Sequence, residues 1–357
     1  MFSNVFLKSF RILLLPVALL YWLVISIRNW LYNKNISRSA SFGLPIICVG
    51  NLSVGGTGKS PMVEYLARNT KDKFNIAILS RGYKRRTTGY SLANENTTAL
   101  DIGDEPMQFH IKFPDVPVAV GEERIVAIPL LLHDKPDTQV IILDDAFQHR
   151  AIKAGLNILL TDYNNLFTRD FYLPTGDLRD LKSSYKRADI IVVTKCKPEL
   201  TRREANDIQE EIQPLKQQHL FFTSIAYGLP YHIATRTSFT LNKDTEVLLV
   251  AGIANPAPLK KMLEENSKTY YLISFPDHHI FTIDDLKEIK KRFERMDVAN
   301  KIILTTEKDA MRLIKFRDDI NSLPLYVIPI QHRFLFHSND AFNGIVIKFI
   351  ENFKREE

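Results

Sequence analysis

Short, continuous apolar runs rich in β-branched residues alternate with helix-compatible stretches along the first two thirds of the chain. Runs of this kind are typical of strands buried on both faces of a mainly parallel sheet. Their alternation with helices predicts an α/β fold in which helices cover both faces of the sheet. The predicted strands are residues 46–49, 76–79, 116–120, 140–143, 158–160 and 190–193, and the predicted helices are 61–69, 127–133 and 202–217.

The pattern changes between residues 219 and 243, where two strand-like segments flank Gly228, Leu229 and Pro230. They predict an antiparallel pair that links the first unit to a second, smaller α/β unit. We therefore expect an N-terminal segment (1–40), a first α/β unit (41–218), a two-stranded linker (219–243) and a C-terminal α/β unit (244–357). In the C-terminal unit the predicted strands are 247–250, 270–274, 302–305 and 325–328, and the predicted helices are 258–265, 283–295 and 341–353.

An uncharged apolar run covers residues 12–27. As a helix it would span roughly 24 Å, less than the ~30 Å hydrocarbon core of a bilayer. Pro16 interrupts it, and aromatic residues such as Trp22 suit a membrane interface. Four interpretations are open: a signal peptide cleaved near Ser39-Ala40-Ser41, a single membrane span, a helix buried in the body, and a monotopic helix. The short length favours a monotopic helix held on anionic lipid by flanking cations.

Charge is concentrated in this N-terminal segment. Residues 1–40 carry five cations and no acid, whereas the whole 357-residue chain has a formal net charge of +6, so the remaining residues contribute only +1. This distribution argues against a basic nucleic-acid-binding domain. A hydrophobic content of 45% and a charged content of 25% are ordinary for a soluble protein of two domains. The two cysteines, Cys48 and Cys196, are too few for a disulfide framework.

A glycine-rich segment follows the first predicted strand and precedes the first predicted helix. This context aims backbone N–H groups at a bound phosphate, so the segment is interpreted as a phosphate-binding loop. Lys59 is expected to reach the β- and γ-phosphates and the Ser60 hydroxyl to bind Mg²⁺. Export is disfavoured, since a nucleotide site needs a compartment that contains ATP. The predicted nucleotide-binding residues are Ser53, Val54, Gly55, Gly56, Thr57, Gly58, Lys59 and Ser60.

Two adjacent carboxylates, Asp144 and Asp145, directly follow the predicted strand 140–143. In phosphate-loop enzymes this position holds Mg²⁺. Adjacent carboxylates are costly to keep close unless a cation lies between them, so a metal role is favoured over a solvated turn.

Weaker signals lie on other predicted loops. Asp104 and Glu105 stand in a Gly-Asp-Glu-Pro segment, where a carboxylate can serve as general base on an acceptor hydroxyl. Arg81 follows the strand 76–79 and can pair with phosphate, although an ordinary surface arginine also fits. Lys197 replaces the aspartate of the guanine-reading Asn/Thr-Lys-x-Asp motif, which favours ATP over GTP. His278, in an Asp-His-His run, can orient or tune a base.

Ten motifs in sequence order together resemble the tetraacyldisaccharide 4'-kinase family, the lipid A 4'-kinases of Gram-negative bacteria. The likeness extends from about residue 44 to residue 313, and Ser53 in place of the first phosphate-loop glycine also suits this family. The motifs are GNLSVGGTGKSP, SRGY, GDEP, GEER, DDAFQH, LPTGDLRD, VVTK, AGIANP, FPDHH and TTEKDAMRL.

The resemblance implies a monotopic enzyme on the cytoplasmic face of the bacterial inner membrane. It would use ATP and Mg²⁺ to phosphorylate the 4'-hydroxyl of a lipid A disaccharide precursor, with no nucleic acid or protein partner evident. It implies Asp104 as base, paired with His278, and Asp144 and Asp145 at the metal and catalytic centre with Lys59. The residues implied to line the site are Glu105, Arg124, Gln148, Arg179 and Arg81.

Three residues depart from the usual pattern of this family. Ser60 stands where threonine is usual and conserves the hydroxyl. Ala146 replaces a glycine, so its turn must avoid a positive φ or accept strain. Asp180 replaces a glutamate and leaves the role of that carboxylate open. A different class of function, a membrane-attached phosphate-loop ATPase that acts as a switch or positioning protein, is the alternative.

Overall fold

The computed structural model describes residues 11–253, 255–277 and 279–353. Within them the chain forms two mainly parallel sheets, which confirms the predicted α/β class. The first sheet comprises β1 (Ile46–Asn51), β2 (Ile76–Ser80), β3 (Ser91–Leu92), β4 (Val118–Val120), β5 (Val140–Asp144), β6 (Leu156–Asp162), β7 (Ile190–Thr194), β8 (His219–Tyr227) and β14 (Ile330–Phe334). The second comprises β9 (Tyr231–His232), β10 (Glu246–Ala251), β11 (Thr269–Ser274), β12 (Lys301–Thr306) and β13 (Leu325–Ile328).

The first sheet has the order β14-β8-β7-β6-β1-β5-β2-β4-β3. Its central strands are parallel, and the edge strands β14 and β3 are antiparallel to their neighbours. The second sheet has the order β11-β10-β12-β13-β9, with β9 antiparallel at one edge. Strands β1 and β5 of the first sheet and β10 of the second are buried throughout, because helices cover both faces.

Capping side chains and local backbone conformation determine where several of the helices begin and end. Thr201 and Thr282 cap two of them through reciprocal bonds with Glu204 and Asp285. The helix predicted over 202–217 ends earlier because Gln213 has a φ of 52° and Pro214 follows. The helices are α1 (Leu15–Asn33), α2 (Lys59–Thr70), α3 (Ala99–Ile102), α4 (Asp104–Lys112), α5 (Arg124–Asp134), α6 (Arg202–Ile212), α7 (Ala257–Asn266), α8 (Ile283–Glu294), α9 (Glu307–Leu313), α10 (Arg317–Ile320) and α11 (Asn339–Glu351), with 3₁₀ turns at Ile12–Leu14, Lys182–Arg187 and Ile314–Phe316.

The predicted antiparallel pair within residues 219–243 is not formed. β8 pairs with β7 and β14 in the first sheet, whereas β9 pairs with β13 in the second. The segment does connect the two sheets, but its two strands lie in different ones. The break at Gly228-Leu229-Pro230 redirects the chain instead of forming a hairpin.

The end of the chain also differs from the expected C-terminal unit, because β14 and α11 return to the first sheet. Phe334 and Phe342 pack against Phe221 of β8 with ring centroids 6.0 and 5.4 Å apart. Val346 and Ile350 are buried in the same core. Burial of these apolar side chains against the first sheet, and not against the second, explains the return.

Helix α1 lies on the first unit with one face only. Ala18, Ile25 and Asn29 are buried, whereas the opposite face exposes large apolar residues. Residues Ile12–Asn33 are long and apolar enough to cross a membrane, although one such helix near an N-terminus is weak evidence by itself. The exposed apolar side chains include Leu13, Val17, Leu19, Leu20, Leu23, Val24 and Ile27.

Candidate active site

The phosphate-binding loop connects the end of β1 to the start of α2. Gly55 and Gly58 have φ values of +99° and +86°, which side chains other than glycine rarely adopt. Nothing lies within 4 Å of a Cβ placed on Gly55 or Gly56, so this part of the loop faces open space. The first part of the loop is held by backbone bonds from Val54 to Asp177 and from Arg179 to Leu52.

Lys59, the first residue of α2, lies in a cluster of charges. Its Nζ is 3.8 Å from Asp145 Oδ1 and 3.4 Å from Asn51 Oδ1. Arg179 also pairs with Asp145 and donates to Asn51. Burial lowers the pKa of Lys59 and would by itself raise that of Asp145, but the two cations outweigh burial and lower the pKa of Asp145. Asp145 is therefore held as a carboxylate.

Asp144, the last residue of β5, is in a different state. Burial and the adjacent Asp145 raise its pKa to about 6. Ser80 Oγ, at the end of the neighbouring β2, donates to Oδ2 over 3.0 Å, while the buried Oδ1 has no hydrogen-bond partner. A buried acceptor without a partner is costly, so Oδ1 is suited to a cation.

The turn after β5 accommodates the alanine that departs from the family pattern. Asp145 has a φ of 50°, whereas Ala146 is not among the described residues with positive φ. The left-handed conformation thus falls on an aspartate, which tolerates it better than most residues. Ala146 avoids it and is buried in the core.

The residues present fit a magnesium ion bound together with a nucleotide. Among the described residues no group of three or more His, Cys, Asp or Glu side chains could hold a metal alone. Mg²⁺ bound with a nucleotide needs few protein ligands, because phosphates and water supply the rest. Asp144 Oδ1 provides one candidate ligand, and the half-buried Ser60, one residue after Lys59, provides a hydroxyl.

Asp104 and Glu105 open α4 and contact the second unit. Arg312, on α9, donates from Nε to Asp104 Oδ2 over 2.9 Å and also from its terminal nitrogen. Lys308 pairs with Glu105 over 3.1 Å, and the charge of Glu105 acts on both Lys59 and Asp144. Two predicted site residues are therefore held between the units. His278 lies outside the described residues.

Asp309 connects Arg312 to the second sheet. It is fully buried, accepts from the backbone N–H of Gly252 over 3.0 Å, and lies 3.5 Å from Arg312. Burial raises its pKa despite these contacts. The AGIANP and TTEKDAMRL motifs thus meet here, on the side of Arg312 away from Asp104. His279 contacts residues near it in sequence: its ring stacks on Phe275, and its Nε2 lies 2.9 Å from Asp285 Oδ2.

The remaining predicted site residues fall into different places. Gln148 donates to the Asn51 carbonyl over 2.7 Å and lies beside the phosphate loop. Arg81 is exposed and lines an open cleft of about 320 Å³ with Lys84, Arg85 and Glu122. Arg124 is buried and donates to the carbonyls of Gly121, Glu122 and Asp144. These bonds connect the start of α5 to the end of β5.

Asp180 is a structural anchor for α1. Its buried carboxylate accepts from Asn29 of α1 over 2.7 Å, from Ser184 over 2.9 Å and from Arg187 over 2.8 Å. Arg28 and Tyr21 of α1 donate to the backbone of Gln148 and Arg179. Helix α1 is thereby fixed beside residues that support the phosphate loop.

Sequence reasoning assigned no role to Asn51 or Arg312. Asn51 is the residue that both Lys59 and Arg179 contact, and Arg312 is the partner of Asp104. Their only sequence signal is membership in the GNLSVGGTGKSP and TTEKDAMRL motifs.

Comparison with known proteins identifies the family of this chain. The family model for tetraacyldisaccharide-1-P 4'-kinase matches residues 10–351. Tetraacyldisaccharide 4'-kinases from Bacteroides thetaiotaomicron and Flavobacterium johnsoniae are 43% and 45% identical, over 94% and 96% of this chain and 92% and 97% of their own lengths. A crystal structure of LpxK from Aquifex aeolicus in complex with ATP superposes with a TM-score of 0.75 at 29% identity, covering 96% of this chain and 99% of that one. The chain therefore belongs to the tetraacyldisaccharide-1-P 4'-kinase family.

Proposed function

We propose that this protein transfers the γ-phosphoryl group of ATP to the 4'-hydroxyl of a tetraacylated glucosamine disaccharide 1-phosphate in lipid A biosynthesis. Family membership and the ATP complex of the Aquifex aeolicus relative support this function. The observation that carries it is the convergence of Lys59, Asp144 and Asp145 at one sheet edge, with Glu105 close enough for its charge to act there.

In this proposal Asp104 is the general base. It accepts the proton of the acceptor hydroxyl while the new O–P bond forms and the bond from the γ-phosphorus to ADP breaks. Arg312 orients its carboxylate through two donors. His278 is proposed as the partner of Asp104 on the basis of its motif alone.

The phosphates are bound by the loop from Ser53 to Ser60, with Lys59 as the cation that reaches the β- and γ-phosphates. Asp145 keeps Lys59 and Arg179 in place and remains charged beside them. Gln148 and Glu105 border this region, and the cations of the Arg81 cleft are suited to an acidic acceptor. We assign Arg124 to support of the strand end.

Mg²⁺ is part of the proposal, with Asp144 and Ser60 as the protein ligands. When bound, it neutralises charge that develops on the transferred phosphoryl group. The partnerless Oδ1 of Asp144 supports this assignment.

We further propose that the protein is monotopic, attached by α1 to the cytoplasmic face of the bacterial inner membrane. The helix has an exposed apolar face, and its other face is tied to the body by Asn29 and Asp180. A helix buried along one face in protein is suited to lie in the interface, where flanking cations meet anionic lipid. We propose no nucleic-acid or protein partner.

The test is a transfer assay with ATP, Mg²⁺ and the disaccharide lipid, using Asp104→Asn and Lys59→Ala. Asp104→Asn is expected to lower product formation at least about 100-fold while ATP binding stays within about twofold, because a base acts on the acceptor. Lys59→Ala is expected to lose both product formation and ATP binding. Asp115→Asn, an exposed carboxylate just beyond α4, is the control. ATP hydrolysis that ignores the lipid and yields no phosphorylated lipid would favour a switch ATPase and contradict the kinase.

A further inference from the structure

Two side chains that have no role in the mechanism proposed above hold the end of the phosphate loop. Thr194 Oγ, at the end of β7, donates to the carbonyl of Thr57 over 2.8 Å. His332 Nε2, on β14, lies 2.8 Å from the carbonyl oxygen of Gly58. Both side chains are buried. Two consecutive peptide units of the loop are thus fixed by residues from distant parts of the chain.

The protonation of His332 follows from its surroundings. Burial lowers its pKa to about 4, so the ring is neutral at physiological pH and carries one N–H. The carbonyl of Gly58 can only accept, so this N–H is on Nε2. Nδ1 then accepts from the hydroxyl of Thr223, 2.9 Å away. Both ring nitrogens are satisfied, and the donor that faces the loop is fixed.

The direction of these carbonyls determines where the next N–H groups point. In a planar trans peptide, the C=O of one residue and the N–H of the next point in opposite directions. Holding the carbonyls of Thr57 and Gly58 therefore aims the N–H groups of Gly58 and Lys59 the other way. N–H groups at this point of a phosphate loop are those that cradle phosphate oxygens.

We propose that Thr194 and His332 are positioning residues of the phosphate loop, which orient the N–H groups of Gly58 and Lys59 toward the phosphates of ATP; this rests on the proposed nucleotide site. The requirement for glycine at position 58 has the same origin. A Cβ there would lie 3.0 Å from His332 Cε1, in addition to the positive φ. The carbonyl of Gly58 also accepts the helical bond from Met62 over 3.2 Å, so the same peptide begins α2.

The experiment measures equilibrium binding of ATP and of adenosine to the full chain without lipid. Thr223→Val with His332→Phe removes the donor and leaves no buried hydroxyl without its acceptor. We expect about a tenfold loss of ATP affinity, the size of one hydrogen bond, and adenosine affinity within about twofold. His332→Gln, whose amide can donate to Gly58, is expected to retain ATP affinity within about threefold. His232→Phe, at a buried histidine in the second unit, is the matched control.

Thr194 gives an independent arm that does not depend on the fold of the histidine variant. Thr194→Val keeps the side-chain shape without the hydroxyl and is expected to weaken ATP about tenfold, whereas Thr194→Ser keeps the donor and the affinity. Unchanged ATP affinity in a folded Thr194→Val protein, or an equal loss for adenosine, would overturn the inference. Wild-type protein that binds no ATP would instead overturn the proposed function itself, and this inference with it.

Discussion

At the scale of single residues, the site combines carboxylates in opposite electrostatic states. Asp145 is paired with Lys59 and Arg179, which lower its pKa. Asp144, one residue earlier, has a buried oxygen without a partner and a pKa raised to about 6. The pKa values of these adjacent carboxyl groups thus shift in opposite directions, because Asp145 faces two cations and Asp144 is enclosed by the sheet. Such a difference is expected where a protein keeps a position ready for a cation.

This difference predicts that Asp144→Asn stabilises the protein without ligands. A carboxyl whose pKa is raised on folding destabilises the fold above that pKa, and the cost disappears below its ordinary pKa. We therefore expect a gain of about 1 to 3 kcal/mol in the free energy of unfolding at pH 8, declining toward pH 4. Phosphoryl transfer is expected to fall at least about 100-fold.

Urea unfolding of the wild-type and variant proteins at several pH values measures this gain. Asp162→Asn is the control, because Asp162 is paired with Lys195 over 2.7 Å and gains nothing from losing its charge. A variant that is less stable than the wild-type protein at pH 8 would contradict the assignment of Asp144 as a buried carboxylate that costs stability when no cation is bound.

At the scale of elements, three helices that carry site residues meet in one buried ionic cluster. Lys112 of α4 pairs with both Glu64 of α2 and Glu307 of α9, and Gln108 donates to Glu64 over 2.5 Å. Glu307 also accepts from the backbone N–H of Ile330 over 3.2 Å. The cluster therefore connects the helix that starts at Lys59, the helix that starts at Asp104 and the helix that holds Arg312.

The cluster predicts a pH-dependent stability, because it holds two carboxylates and one ammonium group. Burial and the charge of Glu64 raise the pKa of Glu307 to about 7, although Lys112 opposes the shift. Between the ordinary carboxyl range and about pH 7 the folded state binds more protons than the unfolded state, so stability falls as pH rises. Glu307→Gln removes the group that titrates. We therefore expect the free energy of unfolding of the variant, relative to that of the wild-type protein, to increase between pH 5 and pH 8.

Unfolding midpoints in urea at pH 5, 6, 7 and 8 measure the effect. Glu288→Gln, in an exposed pair with Arg292 on α8, is the matched control and should follow the wild-type protein. A constant difference between Glu307→Gln and wild type across this range would show that Glu307 does not titrate there.

The elements also show what sequence patterns can predict. The central strands β1, β5, β10 and β12 were predicted within one or two residues, because full burial leaves an uninterrupted apolar run. The glycine-rich segment and the Asp144-Asp145 pair are visible in the sequence because each is local in sequence. The position of β14 in the first sheet is not predictable in this way, since nothing within residues 330–334 specifies which sheet the strand joins. Arg312 and His332 were missed for the same reason, because their partners lie more than 200 residues away.

At the scale of the whole molecule, the helix α1 and the phosphate loop are linked through residues 174–180. Arg11 binds the carbonyls of Pro174 and Gly176, and Asn29 binds Asp180. The same segment bonds to the loop at Val54 and Leu52. Hydrogen bonds thus connect the helix proposed to contact lipid to the site that would phosphorylate a lipid.

This arrangement predicts that substitutions on the exposed face of α1 can abolish membrane attachment without abolishing phosphoryl transfer. Leu20 and Val24 are each 64% exposed, so Leu20→Glu with Val24→Glu should leave the fold intact while placing charge on the lipid-facing side. We expect loss of binding to anionic vesicles and little change in turnover of detergent-dispersed acceptor. Leu229→Glu, at a residue 60% exposed in the linking segment, is the matched control and should bind vesicles normally. Asn29→Leu, on the opposite face, should instead lower the thermal unfolding temperature, because Asp180 loses a buried donor. Vesicle binding by the double glutamate variant at the wild-type level would show that another surface holds this protein on the membrane.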